Sequence, residues 1–193
     1  MASNSTTTSA QKWLILDRDG VINKDSDKFI KSADEWQPLP GSLEAIAKLN
    51  LAGYRIAVIT NQSGLARGLF DLATLEHIHQ KFIDLLAEQG GKVEKIYFCP
   101  HGPDDHCQCR KPLPGLYRQF AQEYSISLEG IFAAGDSIRD IQAAEAAGAS
   151  GVLLRTGKGQ ASLTSIAASP PDDPLRAIPV YDDLAAFTRQ LLK

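Results

Sequence analysis

The sequence lacks the features typical of membrane proteins, secreted proteins and nucleic-acid-binding proteins. None of its apolar runs approaches the about 20 residues that span a bilayer, and its Ser- and Thr-rich start has neither the basic end nor the apolar core of a secretion signal. Its net charge of −3 provides no basic field for nucleic acid, and no large exposed apolar pattern indicates a subunit interface. We therefore expect a cytoplasmic monomer that binds neither membrane nor nucleic acid, with a disordered tail at residues 1–12 and one folded domain at residues 13–193.

Cysteine is scarce and tightly clustered. The three cysteines all lie between residues 99 and 109, and an odd number does not suit a disulfide framework. Together with one histidine they offer the three thiolates and one imidazole of a closed tetrahedral zinc site. The predicted structural Zn²⁺ ligands are Cys99, His101, Cys107 and Cys109. His106 is the alternative imidazole but is adjacent to Cys107, and buried free thiols are the other interpretation of the cluster.

Short apolar runs alternate with helical patterns along the chain. Strands are predicted at residues 13–16, 54–59, 93–98, 131–134, 151–155 and 178–181, and helices at 42–51, 71–89, 115–124, 140–147 and 182–192. The Gly-, Ser- and Pro-rich segment 157–174 is predicted to be a mobile loop. The alternation indicates an α/β fold with a three-layer α/β/α, Rossmann-like parallel sheet, and no insertion is long enough for a large cap domain.

Chemically active side chains follow the ends of the predicted strands. They are Asp17 and Asp19 after the first strand, Thr60 after the second, Lys111 beyond the third, and Asp136 and Asp140 after the fourth. Ligands of open α/β sheets bind beyond the carboxyl ends of the strands. Carboxylates suit a hard cation, while a hydroxyl and an ammonium suit phosphoryl oxygens. The pattern therefore predicts a metal-dependent phosphate site at this edge, although a lone DxDG could equally be a turn or a helix cap.

Four motifs occur in order: DRDGV at 17–21, Thr60 after a strand, Lys111 before Pro112, and GDSIRD at 135–140. This set resembles the haloacid dehalogenase-like phosphohydrolases. The resemblance implies that Asp17 is a nucleophile that forms an aspartyl-phosphate and that Asp19 is the acid–base residue. It also implies that Thr60 and Lys111 hold phosphoryl oxygens, and that Mg²⁺ is bound by Asp17, Asp136 and the backbone carbonyl of Asp19. Asp140 either orients Lys111 or the metal site, or caps the following helix.

The thiol cluster and the stretch NQSGLARG at 61–68 are similar to one subgroup of that family. Its two activities are removal of the C7 phosphate of heptose 1,7-bisphosphate, in nucleotide-heptose and lipopolysaccharide-core biosynthesis, and hydrolysis of histidinol phosphate. Ser63 and the following Ala-Arg-Gly favour the heptose activity. A catalytically inactive zinc-loop binding module and a nucleic-acid-binding zinc ribbon are the alternatives outside phosphatase chemistry.

A sugar phosphate is therefore the expected substrate. The predicted substrate-binding residues are Asp25, Ser26, Asp27, Lys28, Asn61, Gln62, Ser63, Arg67, Arg110 and Ser137. The two arginines suit a second phosphate, because a guanidinium fork matches phosphate oxygens. Ser137 stands where the subgroup often has lysine, which leaves the substrate and its anomer open. His77 and His79 lie two residues apart on a predicted helix and are assigned no catalytic role.

Overall fold

The computed structural model describes residues 12–193. The strands are β1 (Lys12–Leu16), β2 (Tyr54–Asn61), β3 (Lys95–Cys99), β4 (Phe132–Gly135), β5 (Ser150–Leu154) and β6 (Val180–Tyr181). The helices are α1 (Ser42–Leu51), α2 (Leu72–Glu88), α3 (Gly115–Tyr124), α4 (Ile138–Ala147), α5 (Gly159–Ala167) and α6 (Leu184–Leu191), with a 3₁₀ turn at Pro174–Ala177. The tail predicted at residues 1–12 lies outside the described residues, except that Lys12 begins β1.

The six strands form one parallel sheet with the order β3-β2-β1-β4-β5-β6. Successive residues of a strand point to opposite faces, so Leu14 and Leu16 pack on the side of α1, α2 and α6. Trp13 and Ile15 pack on the opposite side, against α3 and α4. Both faces are thus covered, and the predicted three-layer α/β/α architecture is confirmed. Within residues 12–193, no helix is both long and apolar enough to cross a membrane.

The direction in which the sheet grows reverses between β1 and β4. The chain adds β2 and β3 on one side of β1, and then β4, β5 and β6 on the other. Asp17 follows β1, and its backbone N–H donates to the Ala134 carbonyl of β4 at 2.9 Å. Asp136 follows β4 directly. Such a reversal opens a crevice at the carboxyl ends of the two strands, and both aspartates stand at its mouth.

The prediction of a mobile loop over residues 157–174 is wrong, because α5 occupies Gly159–Ala167. The residues of this helix are mostly small and have weak helix propensity. Ile166 nevertheless packs with Ile141 of α4 and Leu153 of β5. A Cβ atom at position 159 would overlap the Leu154 carbonyl oxygen, so glycine there permits the helix to approach the strand closely. Tertiary packing stabilises a helix that local composition does not indicate.

The long loop at residues 24–40 is held in place by contacts with α2. Trp36 is fully buried, and its ring centroid lies 5.5 Å from that of Phe82 on α2. Lys81 of α2 donates to the backbone carbonyls of Ala33 at 2.7 Å and Trp36 at 3.1 Å. These contacts fix the far end of the loop, while its start at Asp25 reaches the carboxyl edge of the sheet.

Candidate active site

A polar cavity of about 320 Å³ lies at the point where the sheet order reverses. The predicted residues that line it are Asp17, Asp19, Asp25, Ser26, Thr60, Asn61, Gln62, Ser63, Arg67, Arg110, Lys111, Asp136 and Ser137. Asp27 and Lys28 are exposed and lie outside this lining. Its other lining residues, assigned no binding role from sequence, are Arg18, Phe29, Ile30, Pro103, Arg139, Asp140 and Lys158.

Lys111 is the buried cation at the centre of the site. Its ammonium lies 2.8 Å from Asp17 Oδ1 and 2.6 Å from Asp140 Oδ1, and it donates to the Ile59 carbonyl at 2.9 Å. Burial by itself would lower the pKa of Lys111, but the carboxylates of Asp140 and Asp17 raise it above its usual value. Lys111 therefore stays charged, and it holds Asp17 in place.

Asp140 performs two of the roles left open by its sequence position. It pairs with Lys111, and it is also the N3 residue of a capping box in which Ser137 N–H and Oγ–H both donate to Asp140 Oδ2, at 2.9 and 2.8 Å. The start of α4 is thereby tied to the buried lysine. The hydroxyl proton of Ser137, a predicted substrate-binding residue, is committed to this cap.

Asp17 and Asp136 form an anionic pair that suits a divalent cation. Burial raises the pKa of Asp17 to about 7 even though Lys111 opposes the shift. Burial, followed by repulsion from Asp17 and Asp140, raises the pKa of Asp136 to about 8. Asp140 completes a group of three, because the carboxylates of Asp17, Asp136 and Asp140 each offer an oxygen within 4.8 Å of the others. Two buried carboxylates and the partly buried one of Asp17 face one ammonium, so this oxygen-rich donor set fits a hard divalent cation such as Mg²⁺.

Backbone packing fixes the orientation of Asp136. Its Oδ2 atom accepts the Lys158 backbone N–H at 2.7 Å. Gly20 and Gly157 approach this carboxylate so closely that a Cβ atom at either position would overlap Asp136 Oδ2. The Lys158 ammonium also lies 2.9 Å from Asp25 Oδ2. Lys158 was not predicted as a site residue because its segment was expected to be a mobile loop. It nevertheless follows the end of a strand, β5, as the other site residues do.

Asp19 lies in a dense set of donors. Its carboxylate accepts from Asn23 Nδ2 at 2.8 Å, from Gln62 Nε2 at 2.9 Å, and from the Nε and Nη2 atoms of Arg18 at 2.9–3.2 Å. Burial would raise the pKa of Asp19, but the charge of Arg18 and these hydrogen bonds lower it below its usual value. Gln62 Nε2 also donates to Thr60 Oγ1 at 2.9 Å, which links the two predicted catalytic residues.

Besides Arg18, the cavity is lined by three further arginines, namely Arg67, Arg110 and Arg139. Burial, and then the nearby charge of Arg139, lower the pKa of Arg110. Arg110 Nη1 donates to the His101 carbonyl at 3.1 Å, so its position depends on the thiol loop. Arg139 was not predicted, although it stands inside the GDSIRD motif, and its position in the first turn of α4 was the available signal.

Asn61 supports the backbone of Lys111, a predicted catalytic residue. Its Nδ2 donates to the Lys111 carbonyl and its Oδ1 accepts the Lys111 N–H, both at 3.1 Å. Both ends of this amide are therefore occupied within the protein. A substrate could bond to Asn61 only through side-chain atoms that already bond to Lys111. The contacts in the structure therefore give Asn61 the role of fixing the Lys111 backbone.

The ligand atoms of the thiol cluster are close enough together to surround a single zinc ion. Cys99 Sγ lies 3.7 Å from Cys107 Sγ and 3.2 Å from Cys109 Sγ, and His101 Nδ1 lies 3.2 Å from Cys109 Sγ. In a tetrahedral site with Zn–S bonds of about 2.3 Å, neighbouring sulfur atoms are about 3.8 Å apart. Burial raises the pKa of the Cys99 thiol, so a cation is needed to stabilise its thiolate. His106 is exposed and lies outside the four-residue cluster.

Comparison with known proteins places this site in context. The model of the haloacid dehalogenase-like hydrolases matches residues 5–148. A relative from Pseudomonas putida, named D-glycero-beta-D-manno-heptose-1,7-bisphosphate 7-phosphatase, is 54% identical over 94% of this chain and 99% of its own length. A relative of the same name from Bordetella bronchiseptica is 54% identical over 94% of this chain and 98% of its own length.

Solved structures agree with these relatives. The crystal structure of D,D-heptose 1,7-bisphosphate phosphatase from B. bronchiseptica, complexed with magnesium and phosphate, is 54% identical, has a TM-score of 0.88, and covers 94% of this chain and 98% of that chain. The corresponding phosphatase from Burkholderia thailandensis is 41% identical, with a TM-score of 0.72 and coverage of 94% and 99%. The chain thus resembles these proteins over nearly its whole length.

Proposed function

The chain belongs to the haloacid dehalogenase-like hydrolases, and we propose that it is a Mg²⁺-dependent phosphatase that removes the C7 phosphate of D-glycero-β-D-manno-heptose 1,7-bisphosphate. The central observation is the buried set of Asp17, Lys111 and Asp136 beside an arginine-lined wall. The names of the 54% identical relatives support the heptose substrate and its β anomer. This reaction serves nucleotide-heptose biosynthesis.

The first half of the reaction uses Asp17 as the nucleophile. Its free carboxylate oxygen attacks phosphorus, while Lys111 and Thr60 hold the non-bridging oxygens as charge redistributes. The bond between phosphorus and the C7 oxygen breaks, and Asp19 gives its proton to the departing alkoxide. The lowered pKa of Asp19 in the free protein favours its ionised form, and the approach of a phosphate dianion opposes that tendency by repulsion. The product of this half is an aspartyl-phosphate on Asp17.

The second half restores the enzyme. Asp19, now a carboxylate, takes a proton from water, whose oxygen attacks phosphorus as the bond to Asp17 breaks. Bound Mg²⁺ would supply the positive charge that permits an anionic nucleophile to approach an anionic substrate. We assign its ligands to Asp17, Asp136 and the backbone carbonyl of Asp19. Lys158 N–H and the two glycines keep the Asp136 carboxylate in the orientation required of a ligand.

The arginine wall supports a substrate with a second phosphate. Arg67, Arg110 and Arg139 line the cavity that contains the nucleophile, and guanidinium groups bind phosphate oxygens in bidentate fashion. We propose that they receive the C1 phosphate while the C7 phosphate occupies the pocket of Asp17 and Lys111. The same wall disfavours histidinol phosphate, because the ammonium group of that molecule would meet several positive charges.

We further propose one structural Zn²⁺ per chain, bound by Cys99, His101, Cys107 and Cys109. All four ligands come from the protein, which suits a structural rather than a catalytic ion. The thiolate ligands also suit the reducing cytoplasm. By holding the loop before Arg110 and Lys111, the ion would position Arg110 for the C1 phosphate and Lys111 for the C7 phosphate.

Phosphate release in the presence of Mg²⁺ tests the proposed function. The panel consists of heptose 1,7-bisphosphate in both anomers, histidinol phosphate and 4-nitrophenyl phosphate, with phosphorus NMR identifying which phosphate leaves. We expect the highest kcat/KM for the β anomer and loss of the C7 phosphate. Higher kcat/KM for histidinol phosphate would overturn the substrate assignment, and no Mg²⁺-dependent phosphate release from any member would overturn the phosphatase itself.

A further inference from the structure

Arg18 connects the acid–base aspartate to a helix outside the site. Its side chain is 1% exposed. Nε and Nη2 donate to the Asp19 carboxylate at 2.9–3.2 Å, and Nη1 lies 3.1 Å from Nε2 of His79. His79 is on α2, 61 positions away in sequence. One buried guanidinium therefore bridges Asp19 and the imidazole.

His79 has the properties of an acceptor for Arg18. Its side chain is buried, and its ring centroid lies 6.0 Å from that of Phe98. Burial, and then the charge of Arg18, lower the pKa of His79 to about 3. The imidazole is consequently neutral at physiological pH, and its Nε2 can accept the Nη1–H of Arg18. A protonated ring would have no lone pair to offer and would repel the guanidinium.

We propose that His79 is a positioning residue for Asp19, acting through Arg18. By accepting the N–H that Asp19 does not use, His79 fixes the plane of the guanidinium, and that plane sets the orientation of the carboxylate. This inference rests on the proposed acid–base role of Asp19. His79 does not line the cavity, so it can act on the reaction only through its neighbours, and Arg18 is the neighbour that is bonded to Asp19.

Two substitutions of His79 by amide residues distinguish a role in positioning Arg18 from a role in packing. His79→Gln can place an amide oxygen near the position of Nε2, whereas the side chain of His79→Asn is too short to reach Arg18. Both are neutral and polar. We expect kcat of His79→Asn on heptose 1,7-bisphosphate to fall about tenfold to hundredfold, since misplacement of a catalytic group by about 1 Å costs that much. His79→Gln should recover most of this loss, and KM should stay within about twofold of wild type because Lys111 and Thr60 are unchanged.

The exposed His77 on the same helix provides the matched control. His77→Asn and His77→Gln should both retain wild-type kcat and KM. Thermal melting of all four variants establishes that they are folded at the assay temperature. Equal kcat values for folded His79→Asn and His79→Gln, or a loss confined to KM, would overturn the proposal.

A leaving group that needs no proton gives a second measurement. With 4-nitrophenyl phosphate, formation of the aspartyl-phosphate releases a stable phenolate without help from Asp19, whereas hydrolysis of the aspartyl-phosphate still requires it. A misplaced Asp19 should therefore slow the second half selectively. Stopped-flow assays of His79→Asn should show a burst of nitrophenolate close to one equivalent per enzyme, larger than that of wild type or His77→Asn. An unchanged burst amplitude would contradict the proposal.

A double substitution tests whether Arg18 carries the effect. Arg18→Lys replaces the planar guanidinium by a single nitrogen, which cannot span Asp19 and His79 from two separate atoms as Nη2 and Nη1 do. If His79 acts through Arg18, then His79→Asn should cost little further kcat in an Arg18→Lys background. The same fold loss in both backgrounds would overturn the route through Arg18. Failure of the acid–base role of Asp19 is distinguishable, because Asp19→Asn would then retain wild-type turnover, and failure of the proposed function would appear as no Mg²⁺-dependent phosphate release by the wild-type protein.

Discussion

The two candidate metal sites of this protein are built in opposite ways. Asp17 and Asp136 follow β1 and β4, neighbouring strands at the centre of the sheet. Their surroundings are buried and already organised by Lys111 and by the Lys158 backbone. The thiol cluster begins at Cys99, the last residue of the edge strand β3, and continues along a loop that contains neither helix nor strand before α3.

This difference indicates what each metal would contribute. The sheet itself arranges the carboxylates, so Mg²⁺ would add charge and reactivity to a formed site. The loop from Cys99 to Lys111 has little regular structure, so the proposed zinc ion would contribute folding energy directly. The two regions meet at Arg110 and Lys111, since the loop carries both residues into the cavity. Loss of a metal ligand in either region should therefore reduce activity, but only loss of a thiol ligand should also reduce stability.

Replacement of Asp17, the proposed nucleophile, should produce the largest effect on activity. Asp17→Asn keeps the shape of the side chain and leaves an amide oxygen for Lys111, but it cannot form an aspartyl-phosphate. We expect kcat to fall by more than about 10⁴-fold, as for other nucleophile replacements, with Tm unchanged or raised because one of three crowded carboxylates is neutralised. Phosphate release and thermal melting provide the two measurements. Turnover near wild type would rule out Asp17 as the nucleophile.

Removal of a thiol ligand should lower the stability of the protein as well as its activity. In Cys107→Ser we expect loss of the one zinc per chain by metal analysis and a decrease in Tm of about 10 °C, which corresponds to about 3 kcal/mol for a chain of this length. Activity should fall as well, because the loop no longer holds Arg110 and Lys111. His106→Gln is the matched control and should retain zinc, Tm and activity. A zinc-free wild-type protein with the same Tm would contradict the structural role.

Much of the fold could be predicted because its signals are local. Helix α1 has the bounds predicted for it, residues 42–51, and its amphipathic pattern and the glycine beyond its end are both visible in the sequence. The ends of the apolar strands likewise indicated Asp17 and Asp136. By contrast, α5 is built from small residues whose stability depends on packing against Ile141 and Leu153, which no local pattern reveals. The single-domain assignment of residues 13–193 remains a prediction.

The supporting residues of the site were harder to predict from sequence than the residues that stand in the motifs. Arg18 adjoins two recognised aspartates, yet its partner His79 lies 61 positions away and only the tertiary fold brings the two together. Lys158 was concealed by the missed helix α5. The dual role of Asp140 also required the structure, since both a helix cap and an ion pair fit its position in the sequence.

Arg110 lies where the two regions join, and its loss should affect binding more than chemistry. We expect Arg110→Met to raise KM for heptose 1,7-bisphosphate about tenfold to hundredfold, the cost of about 1.5–3 kcal/mol for a charged hydrogen bond. KM for 4-nitrophenyl phosphate, which has a single phosphate, should change less than about threefold. Arg118→Met, on the exposed face of α3, is the control. Equal increases in KM for both substrates would place Arg110 at the reacting phosphate instead.

The smallest predicted effect tests how rigidly the fold has formed the acidic site. Gly157 and Gly90 both have positive φ, +53° and +74°, but only at Gly157 would a Cβ atom overlap Asp136. Alanine should cost both positions about 1–2 kcal/mol of backbone strain. Only Gly157→Ala should displace the Asp136 carboxylate, and we expect it to raise the Mg²⁺ concentration for half-maximal activity about fivefold, or about 1 kcal/mol. Mg²⁺ titrations of the two variants supply the comparison. If Gly90→Ala raised the Mg²⁺ requirement equally, general destabilisation would explain the change, whereas an effect confined to Gly157→Ala would show that glycine is kept there to leave room for a metal ligand.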